Sequence, residues 1–168
     1  GVQFIIVDTC GFDPTAVSRG REPLSIGSAE FIEQIREQAQ QAVSDADVVM
    51  FVVDVESGVT PADREVATIL RRSQRKEGDR LEPPVLLVVN KVDSVKRRDT
   101  LAEFYELGMG DPHPVSAVHG SGTGDMLDAL VAVLPAQNEE PEELAADLSV
   151  AIVGKPNAGK STLLNALV

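Results

Sequence analysis

Apolar residues in this chain fall into short unbroken runs, separated by stretches in which they recur every three or four positions. Val2 to Val7 is the first run, rich in β-branched residues, and it stops at Asp8-Thr9-Cys10-Gly11. Val48 to Val53 and Val85 to Val89 are apolar without alternation, as strands covered on both faces should be. A brief strand is expected around His113 to Val115, and another over Val150 to Val153. Between these lie helical periods. Ser28 suits the N-cap of a helix to about Ser44, with Ile32, Ile35, Ala39, Ala42, Val43 and Ala46 on one face. Thr60-Pro61 reads as the N-cap and first position of a helix reaching about Arg75. Leu101, Phe104 and Leu107 define a short amphipathic helix closed by Gly108. Met126, Leu127, Leu130, Val131 and Leu134 line one side of a further helix, which Pro135 ends.

The remaining stretches are expected as connections. Residues 12–27 carry Pro14, Gly20, Pro23 and Gly27 without a clear period, and Lys76 to Pro84 is charged and ends in proline. From Ala136 to Asp147 the chain is acidic and contains no basic residue, the signature of a linker. Strands alternating with helices at this spacing predict an α/β fold, a mostly parallel sheet with helices on both faces. Ligands of such sheets bind beyond the carboxyl ends of the strands. Four polar clusters fall there: Asp8 to Gly11, Asn90 to Asp93, Ser116-Ala117 and Gly154 to Ser161.

The last of these, Gly154-Lys155-Pro156-Asn157-Ala158-Gly159-Lys160-Ser161, fits G-x-x-x-x-G-K-[ST] between an apolar run and a helix start. Gly154 and Gly159 let the backbone curl so that successive N–H groups point inward, and the helix end adds its positive pole. Lys160 supplies charge for phosphate oxygens, and the Ser161 hydroxyl is a candidate Mg²⁺ ligand. Asp8 ends a buried strand, where Mg²⁺ would supply the partner that a buried carboxylate requires. The Gly11 N–H can meet a terminal phosphate oxygen. Asn90-Lys91-Val92-Asp93 suits guanine: the Asp93 carboxylate can accept two parallel hydrogen bonds that adenine cannot offer. Asn90 can bind the base edge or tie the loops together, and the Lys91 stem can cover the base face.

Composition narrows the field. The chain has 168 residues, 43% of them hydrophobic and 25% charged, enough for one ordinary domain with a sizeable core. A net charge of −12 argues against general nucleic-acid binding, including DNA. The local basic clusters, Arg71 to Arg80 and Lys96 to Arg98, are read as solvated faces. The single cysteine, Cys10, excludes an internal disulfide and fits a reducing cytoplasm. No signal peptide appears, and no apolar run approaches the ~20 residues of a membrane span. The chain lacks an initiator Met and stops inside a predicted helix, so both ends are expected to be cut from something longer.

These clusters resemble the G3, G4, G5 and G1 motifs of translation-factor-like GTPases with a P-loop NTPase fold. The chain as a whole is similar to the Der (EngA) family of bacterial ribosome-assembly GTPases, which carry two G domains in tandem. The likeness is carried by Ile35 to Ala39, Asp47 to Asp54, Gly58-Val59-Thr60-Pro61-Ala62-Asp63, His119 to Gly124, and the acidic stretch before the phosphate loop. It implies that residues 1–135 are a first G domain from G3 onward, 136–148 a linker, and 149–168 the start of a second. It implies guanine-nucleotide binding by Asp8, Thr9, Cys10, Gly11 and Phe12, by Asn90, Lys91, Val92 and Asp93, by Ser116 and Ala117, and by Gly154 to Thr162. Ala117 would contribute a backbone contact to the base. Lys160 and Gly11 would act on the phosphates, Ser161 and Asp8 on Mg²⁺, and Asn157 on a potassium ion. Phe12 stands where many small GTPases carry a water-orienting Gln, and Cys10 where the family usually has Gly.

The resemblance further implies GTP hydrolysis coupled to large-subunit biogenesis, with guanine nucleotide and the ribosomal subunit or its RNA as partners. The family's RNA-facing domain would lie beyond Val168. Two alternatives stand beside it. One is a single-domain, circularly permuted assembly GTPase, in which Ala151 to Val153 fills the vacant central strand slot. A linker of about a dozen residues, at ~3.3 Å each, could make that return. The other is a nucleotide-responsive binding module without catalysis.

Overall fold

The computed structural model describes residues 3–8, 46–77, 80–94, 99–134, 148–155 and 157–167, with isolated positions 37, 40, 43 and 44. The loop expected over 12–27 and the acidic stretch 136–147 lie outside these residues. So does the helix expected over 28–44, apart from Glu37, Gln40, Val43 and Ser44, which are helical.

Five strands make one parallel sheet. They are β1 (Phe4–Asp8), β2 (Val48–Asp54), β5 (Val85–Asn90), β6 (His113–Pro114) and β7 (Leu148–Val153), in the order β1-β7-β2-β5-β6. The strand before the phosphate loop thus sits inside the sheet, although it comes last in the chain. Its register sets Val7 beside Ala151 and Asp8 beside Ile152 on one flank, and Val49 beside Ala151 and Phe51 beside Val153 on the other. β7 begins at Leu148, one residue before the boundary expected from composition.

The unbroken apolar runs have a direct physical cause, because alternate side chains of each strand enter different cores. Val49, Phe51, Val53, Leu87, Val89, Ala151 and Val153 face one side. There they meet Val66, Ala67, Ile69 and Leu70 of α1 (Pro61–Ser73), and Phe104 and Leu107 of a 3₁₀ helix (Asp99–Leu107). Val48, Met50, Val52, Leu86, Val88, Val150 and Ile152 face the other side. They pack on Met126 and Leu130 of α2 (Thr123–Val133) and Leu163 of α3 (Lys160–Leu167). A polar residue at any of these strand positions would enter one core or the other. Each fully buried side chain of this kind contributes about 1.5–3 kcal/mol.

Four expectations shift. Leu101, Phe104 and Leu107 recur every three residues, which suits the 3.0 residues per turn of a 3₁₀ helix better than an α-helical period. Arg71 donates to the Leu107 carbonyl at 3.1 Å and Arg64 pairs with Glu106 at 2.7 Å, bracing that helix on α1. The helix expected to reach Arg75 stops at Ser73. The stretch expected as a charged loop holds an antiparallel pair, β3 (Arg75–Glu77) and β4 (Arg80–Glu82), which no apolar alternation announces. Val131, expected on the buried side of its helix, is 43% exposed. Met126, Leu130 and Leu134 make the buried seam at four-residue spacing, and Val131 lies about 100° around the helix from Leu130. Among the described residues no helix is long and apolar enough to cross a membrane.

Candidate functional site

Because all five strands run parallel, their carboxyl ends share one edge of the sheet. Asp8, Asp54, Asn90, Pro114 and Val153 end there, and the loops that follow carry the polar clusters. Backbone constraint builds the phosphate loop. Gly154 has φ of 151°, and a Cβ on it would overlap the Val52 carbonyl oxygen of the neighbouring strand. Gly159 has φ of 87°, and a Cβ there would overlap the Asn90 amide nitrogen. Only glycine fits either position, so the loop lies directly against β2 and β5. Asn157 also takes the left-handed conformation, at φ of 60°, and is exposed.

Asn90 joins three elements. Its Nδ2 donates to the Ala158 carbonyl at 2.9 Å, and its Oδ1 accepts from the Ala117 N–H at 3.0 Å. The residue is 2% exposed, so both amide ends are satisfied out of water. The end of β5, the phosphate loop and the loop after β6 are thereby fixed to one another by a single side chain. Of the Ala117 backbone, expected to contact a base, the N–H is engaged with Asn90. Ser116 is fully buried, and its hydroxyl donates to Asp93 Oδ1 at 2.6 Å, orienting a carboxylate that is itself exposed. Val92 is buried and holds this turn through its N–H, which donates to the Val115 carbonyl at 3.0 Å.

Lys91 takes the left-handed conformation, with φ of 67°. Its ammonium lies 2.8 Å from Asp54 Oδ2 and 3.5 Å from Glu56 Oε2. The hydrogen bond to Asp54 raises its pKa above the ordinary lysine value, against an opposing desolvation. Asp54 is almost completely buried and also accepts the Glu56 N–H at 2.8 Å. Neither Asp54 nor its part in holding Lys91 stands out in the sequence, where it only ends an apolar run.

Lys160 opens α3 and is 6% exposed, and its ammonium donates to the Lys155 carbonyl at 3.1 Å. Ser161 and Thr162 follow on the exposed side of the helix start. The Lys155 side chain leads toward α1, with its ammonium 3.7 Å from Asp63. Asp63 is a second residue that sequence reasoning left without a site role. Its Thr-x-x-Asp spacing after Thr60 is the visible signal, since it closes a capping box. Asp8 ends β1 beside Ile152. Thr9, Cys10, Gly11, Phe12 and Pro156 lie outside the described residues. Among the described residues there is no group of three or more His, Cys, Asp or Glu that could hold a metal ion.

The loop thus carries a buried lysine between its glycines and the helix start, and a separate turn carries a carboxylate held by a serine. The comparisons with known proteins show the family. A family model described as "50S ribosome-binding GTPase" matches residues 1–91 and 149–168. The chain is 47% identical over 168 residues to GTPase Der of Herpetosiphon aurantiacus, covering 100% of this chain and 34% of the relative. It is 41% identical over 168 residues to GTPase Der of Lacticaseibacillus casei, covering 100% of this chain and 34% of that relative. To GTPase Der of Gloeobacter violaceus it is 48% identical over 171 residues, covering 100% of this chain and 33% of the relative. The chain therefore spans about a third of the length of the curated relatives it matches. By the matched stretches on both sides of the acidic segment, this chain belongs to the 50S ribosome-binding GTPase family.

Proposed function

We propose that the loops at the carboxyl edge of the sheet form a guanine-nucleotide site, and that the longer protein hydrolyses GTP during assembly of the large ribosomal subunit. The observation that carries this reading is Asn90, whose side chain ties the phosphate loop to the loop that holds Asp93. Phosphate-binding and base-reading groups thereby belong to one rigid unit, as specific binding of a whole nucleotide requires.

The residues fit such a ligand. Gly154 and Gly159 let the loop lie against β2 and β5, where its backbone N–H groups would approach phosphate oxygens. Lys160 supplies positive charge at the start of α3. Asp93, oriented by Ser116, accepts the N1–H and exocyclic amine of guanine, and an adenine would leave it unpaired. Lys91 presents its stem to the base face while Asp54 holds its ammonium. Ser161 and Asp8 would hold a magnesium ion, whose charge offsets that of the phosphates. Asn157 would help hold a potassium ion, and Gly11 would meet the terminal phosphate.

Titration of the purified chain with a fluorescent GDP analogue and Mg²⁺ tests the reading. Sub-micromolar binding, competed by GTP but not ATP and lost in Lys160→Ala and Asp93→Asn, is the expected result. No binding by the unaltered chain would overturn the site. For the longer protein, turnover is expected to rise when K⁺ replaces Na⁺, and equal rates would remove Asn157's role.

We propose one further reading, which the resemblance to a tandem-domain family implies: β7, its loop and α3 open a second G domain of the longer protein. Lys160→Ala in that protein would then leave one of two nucleotide sites intact.

A further inference from the structure

Lys155 is the second residue of the phosphate loop, and its two ends are held by different elements. Its ammonium lies 3.7 Å from Asp63 Oδ2, with the side chain only 15% exposed. Its carbonyl accepts the Lys160 ammonium at 3.1 Å and the Ala158 N–H at 3.4 Å. Asp63 is fully buried at the third position of α1. Its Oδ2 accepts from the Thr60 N–H at 2.9 Å and from the Thr60 hydroxyl at 2.6 Å, while Oδ1 has no hydrogen-bond partner.

A carboxylate buried this deeply, with one oxygen unpaired, is costly unless a cation stands beside it. Among the described residues, Lys155 is the cation recorded within ion-pair distance of it. A helix cap by itself needs only the Thr60 contacts, and an amide or a hydroxyl would serve that purpose. Lys155 thus gives the charge on Asp63 a partner that the cap contacts do not supply. In return, the buried anion fixes the direction in which Lys155 leaves the loop, and so the direction of the carbonyl that receives Lys160.

We propose that Asp63 is a positioning residue for the phosphate loop, acting through Lys155 on Lys160. The first turn of α1 and the phosphate loop then move as one body. This rests on the reading of the loop as nucleotide-binding. A displacement of the α1 start by anything docking there would reach Lys160 without touching the nucleotide.

The test compares the unaltered chain with Asp63→Asn, Lys155→Met, Lys155→Arg and the Asp63→Asn/Lys155→Met double variant. Two readouts are taken: amide hydrogen exchange of residues 154–160 without nucleotide, and affinity for a fluorescent GDP analogue. Asp63→Asn keeps an acceptor for Thr60, and Lys155→Met keeps the aliphatic stem, so both retain the fold. Each is expected to speed exchange in the loop and to weaken GDP binding about tenfold, as coupled contacts of this size do. The double variant is expected to be no worse than the more affected single one, and Lys155→Arg to retain most of the affinity. Unchanged loop exchange and affinity in both single variants, with only Tm lowered, would reduce Asp63 to a helix cap and overturn the proposal. So would single-variant effects that simply add. If the unaltered chain binds no GDP, the nucleotide reading falls, and the exchange comparison alone decides whether Asp63 orders the loop.

Discussion

The side-chain amide of Asn90 donates to the backbone carbonyl of Ala158 at 2.9 Å, across 68 positions of the chain. That bond holds the end of β5 against the phosphate loop, and the same side chain accepts the Ala117 N–H.

Replacing Asn90 with Ala leaves the Ala117 N–H and the Ala158 carbonyl buried without this partner. Each unsatisfied group costs about 1–3 kcal/mol, so Asn90→Ala is expected to lower stability by roughly 2–6 kcal/mol. Affinity for guanine nucleotide should fall by more than tenfold, because the base-reading and phosphate loops lose their common anchor. Urea denaturation followed by nucleotide titration checks both. Wild-type affinity in a destabilised variant would separate the anchor from the site.

The glycines differ in what surrounds them, and substitution should sort them. Gly154→Ala and Gly159→Ala meet backbone or a doubly bonded buried amide, and both positions have positive φ. Strain and overpacking together are expected to cost about 2–4 kcal/mol at each. Gly120 has φ of 66° with nothing within 4 Å of a Cβ, so Gly120→Ala should cost only about 1 kcal/mol. Unfolding midpoints of the three variants at one pH make the comparison.

Asp47 clamps β7 where it enters the sheet beside β2. Its Oδ2 accepts the Ser149 N–H at 2.6 Å, and its N–H donates to the Ser149 carbonyl at 2.8 Å. Asp47→Ala should remove about 1–2 kcal/mol, the worth of a backbone N–H left without its charged acceptor. A chain ending at Leu134 loses β7 altogether and leaves β1 and β2 with facing unpaired edges. It is expected to unfold without a cooperative transition and to aggregate. Cooperative unfolding of that shortened chain would mean that β7 is dispensable to the sheet.

The Lys91–Asp54 pair fixes a pH dependence. A lysine whose folded pKa is raised stabilises the fold fully below its unfolded pKa of 10.5 and loses that contribution as pH rises through the folded value. The stability difference between the unaltered chain and Lys91→Met should therefore stay constant from neutral pH to about pH 9.5 and shrink above the ordinary lysine pKa. Denaturant midpoints measured across that range test it. A difference that shrinks on acidification from neutral pH to about pH 6 would point to another group.

Much of the architecture was legible in the chain itself, for local reasons. A strand buried on both faces must be apolar at every position, so Val48–Val53 and Val85–Val89 declare themselves without reference to anything distant. The glycines, lysine and serine at 154–161 are required by the geometry of one short loop, and that requirement is written at fixed spacing. The triplet spacing of Leu101, Phe104 and Leu107 was visible too, although a 3₁₀ helix is the less frequent reading of such a pattern. The β3–β4 pair and the exposure of Val131 were not visible. The hairpin carries no alternation, and one helical residue more or less on the buried seam depends on what packs against it.

What only the tertiary structure decided is who stands beside whom. The sequence determined that β7 is a strand leading into a phosphate loop; it did not determine that its neighbours are β1 and β2. Parallel pairing is made by backbone groups that every residue shares, so the partner is chosen by packing on both faces and by reach of the connecting chain, neither of which is local. The same holds for the polar contacts. Asn90 with Ala158, Asp47 with Ser149, and Lys155 with Asp63 join residues whose separations leave no periodic trace. Each is chosen because a buried polar group must find a partner, and folding decides which one is within reach.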